Sequence, residues 1–312
     1  MKRAFVFPGQ GSQAPGMGAA LAGAFPAARQ LFQEIDDALS IHLSRLMFEG
    51  PESELTLTEN AQPALLAASL AVLRVLESEA GFDLAHGAAY VAGHSLGEYS
   101  ALAAARALSV ADAARLVRRR GQAMQRAVPV GAGAMAALLG LDIAAARQIA
   151  ERAADGQVCT VANDNAPGQI VVSGDRAAVE RAAALAAEER ARAVMLPVSA
   201  PFHCPLMRPA AEVMKAALAE TGPAAPAVPL VANVTAAATV DPAEIRDLLV
   251  EQVTHMVRWR ESVLLFAENA VEEVVELGAG RVLSALVRRI DRSLAARSVG
   301  APAEVEELMK SL

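Results

Sequence analysis

Apolar and polar positions divide the chain into short apolar runs that end in glycine or proline and longer stretches with helical spacing. Ala4 to Phe7 is one such run, closed by Pro8-Gly9-Gln10-Gly11-Ser12-Gln13, the pattern of a buried strand opening into a glycine-rich turn. Ala88 to Ala92 repeats the pattern and leads through Gly93-His94-Ser95-Leu96-Gly97 into the helix-favouring stretch Glu98 to Ala107. Val228 to Val234 and Val271 to Leu277 are further strand candidates, separated by helical stretches. Strand, tight turn and helix in succession predict an α/β fold whose mostly parallel sheet is covered by helices on both faces.

The rhythm changes between about residues 128 and 198. A strand (Ala134 to Leu141), a helix (Ile143 to Ala154), two strands (Val158 to Ala162, Gln169 to Ser173), a helix (Arg176 to Arg190) and a strand (Ala193 to Val198) follow one another. This βαββαβ order is that of a ferredoxin-like unit. Large-lobe segments flank it on both sides, so it reads as an insertion: residues 1–127 and 199–312 form the large lobe and 128–198 the small subdomain. The two junctions then border a cleft, the usual place for a ligand.

The length of 312 residues accommodates two such units. Hydrophobic residues make up 54% but aromatics only 4%, so the helices are expected to pack through small side chains. A net charge of -7 argues against general nucleic-acid binding, which needs a clustered basic surface. The first apolar run stops at Pro8, too short for a signal peptide, and no uninterrupted apolar stretch of the ~20 residues needed to span a bilayer is present. A soluble cytoplasmic protein is expected. The two cysteines, Cys159 and Cys204, are not in a CxxC pair, so they read as reduced thiols rather than a disulfide or zinc site.

The most specific local signal is Gly93-His94-Ser95-Leu96-Gly97, a GxSxG nucleophile elbow. A sharp strand-to-helix turn strains its central residue and crowds its neighbours, which explains the flanking glycines. Ser95 is thereby presented at the sheet's edge, and the helix N-terminus offers free N–H groups, including that of Leu96, to an oxyanion. A serine hydroxyl needs a base, and histidine suits that work near neutrality. Among His42, His86, His94, His203 and His255, the best candidate is His203, which follows a strand at the proline-bounded break Ser199-Ala200-Pro201-Phe202-His203-Cys204-Pro205; His255 is the weaker rival.

Arg120 is the third informative residue. The helix beginning at Ser109-Val110-Ala111-Asp112 carries Val110, Ala113, Leu116, Val117 and Met124 on one face. Arg115, Arg118 and Arg119 project away from that face, whereas Arg120 falls in its middle. A buried guanidinium needs an anionic partner. Helical spacing alone does not choose between an internal Asp or Glu and a substrate carboxylate, which the planar fork of Arg also fits.

With Gly9 to Gln13, Gln62-Pro63-Ala64, Gly93 to Glu98, Arg120-Gly121, Gly133-Ala134-Met135, Asn163 to Gln169, Phe202-His203 and Glu276-Leu277-Gly278 in view, the chain resembles the malonyl-CoA:acyl carrier protein transacylases of dissociated fatty acid synthesis. The likeness covers essentially the whole length and extends to acyltransferase domains of polyketide synthases. It implies a hydrolase-like α/β lobe with a ferredoxin-like insert. It also implies that Ser95 is the nucleophile and His203 its base, with the N–H groups of Gln10 and Leu96 as oxyanion hole and Arg120 on the malonyl carboxylate. The backbone carbonyl at Gln252 would orient the histidine in place of a triad acid. Phe202 before the histidine resembles the malonyl-preferring signature. The implied reaction is ping-pong transfer from malonyl-CoA to acyl carrier protein, with malonyl-CoA as substrate and no cofactor or metal. From charge and hydropathy no nucleic-acid or membrane partner is expected, and with no strong sign of oligomerisation in the chain a monomer is expected. A serine esterase or thioesterase, a subunit of a malonate decarboxylase or polyketide system, and a non-catalytic docking module are the alternatives.

Overall fold

The structure, a computed structural model, describes residues 1–312. Its strands are β1 (Arg3–Phe7), β2 (Tyr90–Gly93), β3 (Gly133–Leu139), β4 (Cys159–Ala166), β5 (Gln169–Asp175), β6 (Arg192–Met195), β7 (Leu230–Val231), β8 (Ala238–Thr239), β9 (Glu273–Leu277) and β10 (Ala295–Val299). Two sheets result. The larger runs β10-β9-β1-β2-β7-β8, parallel except for β8 at one edge. Its centre, β1, is buried throughout because helices cover both faces, which explains why Ala4 to Phe7 reads as a continuous apolar run.

The second sheet takes all its strands from Gly133 to Met195, in the order β4-β5-β3-β6, antiparallel at every pairing. With the helices Ile143–Ala154 and Arg176–Glu188 between its strands, it has the ferredoxin-like connectivity. Ala146, Ala150, Ala153, Ala178, Ala182 and Ala186 are buried between those helices and the sheet, so small side chains allow the close packing that the composition predicts. β4 also reaches across to the large sheet's side. Asp164 N–H donates to the Val257 carbonyl (3.0 Å) and Val257 N–H to that of Ala162 (2.9 Å).

One predicted strand is much shorter than expected. Of Val228 to Val234 only Leu230–Val231 pairs, because the chain turns at Asn233 to Thr235 and returns as β8. β8 and β10 were not predicted; two-residue β8 has no pattern to read, and β10 is half exposed with Arg297 in its middle. The helix Thr58–Ala80 is long and apolar enough to cross a membrane, yet 83% of its most apolar window is buried inside the fold. It is a core helix, packed on the helix Val110–Ala127 that carries Arg120.

Candidate active site

The elbow lies where β2 ends and the helix Gly97–Ala104 begins, at the carboxyl edge of the parallel sheet. Ser95 has φ 54°, a left-handed conformation that costs an L-residue energy and persists only where its surroundings impose it. A Cβ on Gly93 would lie 1.9 Å from the Gly97 carbonyl, and one on Gly97 would lie 2.2 Å from the Phe7 oxygen. The spelling of the motif therefore follows from contact between the turn and β1. Gln10 and Leu96 both line the cavity that holds Ser95, and their backbone N–H groups make no hydrogen bond within the chain.

His203, also left-handed at φ 59°, is carried by the loop after β6. Its Nε2 is 2.8 Å from Ser95 Oγ and its Nδ1 is 2.8 Å from the Gln252 carbonyl oxygen. A carbonyl only accepts, so Nδ1 carries the proton and Nε2 presents its lone pair to the serine hydroxyl. Burial, reinforced by the Arg120 charge, pushes the imidazole down to about 3, so it is neutral at physiological pH. No other histidine makes a hydrogen bond to Ser95 Oγ. His42, His86 and His255 are exposed; His94 turns away from Ser95 to Asn165 Oδ1 (2.8 Å) and lies against Trp259.

Ser109 caps the helix Val110–Ala127 by accepting from the Asp112 N–H, and the apolar face anticipated from spacing is buried except at half-buried Val110. Arg120 is 1% exposed. Its Nη1 donates to Gln62 Oε1 (2.8 Å); its Nη2 donates to Gln252 Oε1 (2.9 Å) and to Ser95 Oγ (3.0 Å). Nε has no partner. All its acceptors are neutral, and the internal salt bridge left open by the sequence is not formed. Glu98 stands behind the Gln252 amide, whose Nε2 donates to it and to the Ser95 carbonyl (2.9 Å). Burial raises the Glu98 carboxyl to about 7 against the pull of Gln252, the Asn233 backbone and Arg120. The outward arginines are engaged locally: Arg115 with Asp112, Arg118 with Asn60, Arg119 with Glu220.

Sequence reasoning named Gln252 for its carbonyl and missed its side chain, which links Arg120, Ser95 and Glu98. It also gave no role to Gln62, Glu98 or Asn233. Gln62 and Glu98 lay in quoted motifs, and a polar residue in an otherwise apolar helix face was a usable signal; Asn233 sat inside a supposed strand and gave none. Gln62, Ser95, Arg120 and His203 line a cavity of about 610 Å³ between the two sheets, and Gln252, Glu98 and Asn233 stand behind its wall. Phe202, Met124 and Leu286 supply apolar wall from the large lobe, and Met135 and Val171 from the second sheet.

The acyl transferase domain family model matches residues 4–309. The malonyl CoA-acyl carrier protein transacylase of Bacillus subtilis is 47% identical, the alignment covering 100% of this chain and 97% of that protein. The Escherichia coli protein of the same name is also 47% identical, over 96% of both. Among solved structures, the acyl-carrier-protein-S-malonyltransferase of Bartonella henselae superposes with a TM-score of 0.97 at 52% identity, covering 100% of this chain and 99% of that one. A malonyl-transacylase solved in complex with its type II PKS acyl-carrier protein gives 0.96 at 42%, with both chains covered completely. The chain belongs to the acyl transferase domain family, among the malonyl CoA-acyl carrier protein transacylases.

Proposed function

We propose that the protein transfers a malonyl group from malonyl-CoA to the phosphopantetheine thiol of acyl carrier protein, in fatty acid synthesis, through an ester on Ser95. The observation that carries this reading is a nucleophile held between a neutral base and an uncompensated cation: Ser95 Oγ lies 2.8 Å from His203 Nε2 and 3.0 Å from Arg120 Nη2. His203 Nε2 accepts the Ser95 proton as Oγ bonds to the thioester carbonyl carbon. The charge that develops on the carbonyl oxygen meets the N–H groups of Gln10 and Leu96. The C–S bond breaks, and CoA leaves as its thiol with the proton from His203. In the second half, His203 takes the carrier thiol's proton, sulfur bonds to the acyl carbon, the ester C–O bond breaks, and Ser95 regains its proton.

Arg120 selects acyl groups that end in a carboxylate, because an ion pair there replaces amide contacts that leave its charge unbalanced. The apolar walls disfavour water as acceptor, which separates transfer from hydrolysis. In this reading residues 1–127 and 199–312 supply the reacting groups and 128–198 roofs the cleft. The enzyme works in the cytoplasm as a monomer, and malonyl-CoA is a substrate, with no cofactor used. Intact-mass measurement after mixing with malonyl-CoA tests the proposal. A single malonyl adduct, transferable to holo acyl carrier protein and lost in Ser95→Ala, is expected; an unmodified wild-type chain would refute it.

A further inference from the structure

Resting on the reading of Ser95 as nucleophile, we propose that Asn233 is a positioning residue whose side-chain carboxamide replaces a strand peptide and holds the elbow in its reactive conformation. The ladder between β2 and β7 ends at Ala92 and Val231, one residue short of Gly93. Beyond that point the main chain of β7 turns away, leaving the elbow's next carbonyl and N–H without a backbone partner on that side. The Asn233 side chain fills both needs. Its Nδ2 donates to the Gly93 carbonyl (2.7 Å), and its Oδ1 accepts from the Ser95 N–H (2.8 Å). The same Oδ1 is 3.4 Å from Gln252 Nε2. Asn233 is itself 1% exposed, so water does not substitute for it.

The bridged groups flank His94 and fix the peptide planes on either side of the turn that leads into left-handed Ser95. An unmet buried donor or acceptor carries a desolvation cost comparable to the strain of one left-handed residue. Releasing the bridge therefore lets the elbow relax and Ser95 Oγ leave the line to His203 Nε2. The site needs one donor and one acceptor on a single short side chain. Asparagine offers both, leucine neither, and an ionised aspartate only acceptors. A protonated aspartic acid offers both again.

That last equivalence supplies the test. The charged and titratable groups around position 233 are Glu98 from the helix after the elbow, Arg120 and His203 beyond Gln252, and Arg258, whose backbone N–H donates to the Asn233 carbonyl (3.0 Å) and whose guanidinium donates to the carbonyls of Val234 (3.3 Å) and Thr235 (3.1 Å). Glu98 is raised by burial in the same surroundings, so an introduced acid is also expected to stay protonated toward neutrality. The rate of malonyl-Ser95 formation is measured for wild type, Asn233→Asp and Asn233→Leu between pH 5.5 and 8.5, with thermal unfolding as a fold control. The Asp variant, taken as a ratio to wild type at each pH, should work within a few-fold at the acid end and fall about tenfold or more by the alkaline end. The Leu variant should lose rate at every pH while KM for malonyl-CoA stays within about threefold, since the carboxylate site is untouched. A folded Leu variant with wild-type rate, or an Asp variant equally impaired at all pH, overturns the assignment. If the Leu variant does not fold, the Asp ratio decides alone. Failure of the wild type to form the adduct would refute the function instead.

Discussion

Two arginines beside the cleft are treated in opposite ways by the residues around them. Arg260 meets Asp164 as a closed pair. Its Nε lies 3.1 and 2.9 Å from the two carboxylate oxygens and its Nη2 2.9 Å from one of them, with the acid fully buried. That pair ties β4 to the helix Trp259–Glu268. Arg120, far more deeply buried than Arg260, is given two glutamine oxygens and the serine hydroxyl. A charge that serves the fold is neutralised by the fold. A charge left with neutral partners is open to an anion from outside, and in the proposed function that anion is the malonyl carboxylate, held in the cavity that Arg120 and Ser95 both line.

The largest effect should come from breaking the open member. In Arg120→Ala, malonyl-Ser95 formation is expected to fall by about 10²- to 10³-fold, the cost of losing a desolvated charge contact. Neutral acyl donors should lose far less, so selectivity relaxes. Competing malonyl-CoA against acetyl-CoA, with mass spectrometry of the acyl-enzyme, reads both at once. Undiminished malonyl transfer would mean that Arg120 is a structural charge after all.

The closed member should respond the other way. Arg260→Met strands a buried carboxylate and is expected to cost about 2–3 kcal/mol of stability in urea unfolding, at the lower end for a broken pair because Arg260 remains partly in water. Acylation should stay within about threefold of wild type. Lost activity with unchanged stability would erase the distinction between the two arginines.

How much of this was legible beforehand depends on how local each signal is. The elbow is local: Gly93 and Gly97 are dictated by contacts within a strand, a turn and the adjacent β1, and the motif reads directly from the chain. Arg120 was legible as buried because helical periodicity puts it between Leu116 and Met124. Its partners were not, because Gln62, Ser95 and Gln252 come from three separate elements. His203 stood out through the proline-bounded break around it. Asn233 did not, since an apolar run gives no hint that a strand stops after two residues and that a side chain continues the ladder. Sequence pattern carries what a residue does within its own element, and it is silent on pairings made by the tertiary fold.

Glu98 is a third buried charge and sharpens the contrast between closed and open groups, because it sits between them: hydrogen-bonded to Gln252, without a cation in direct contact. Its carboxyl is raised from 4.5 to about 7, chiefly by burial. The folded state therefore holds its proton more tightly than the unfolded chain, so the stability it contributes is full below pH 4.5 and is lost as pH rises through about 7. His203 runs oppositely. Lowered from 6.5 to about 3, it contributes stability that is present above pH 6.5 and lost as pH falls toward 3. Acylation should accordingly vary by less than about twofold between pH 7 and 5, where an unperturbed histidine would already be mostly protonated. Comparing wild type with Glu98→Gln isolates the acid. Exposed groups contribute equally to both, so the wild type's stability relative to the variant should decline from pH 5 to 8 in urea unfolding. Parallel curves would show that Glu98 titrates as an ordinary carboxylate and that Arg120 has, through Gln252, a closer counter-charge than its neutral contacts imply.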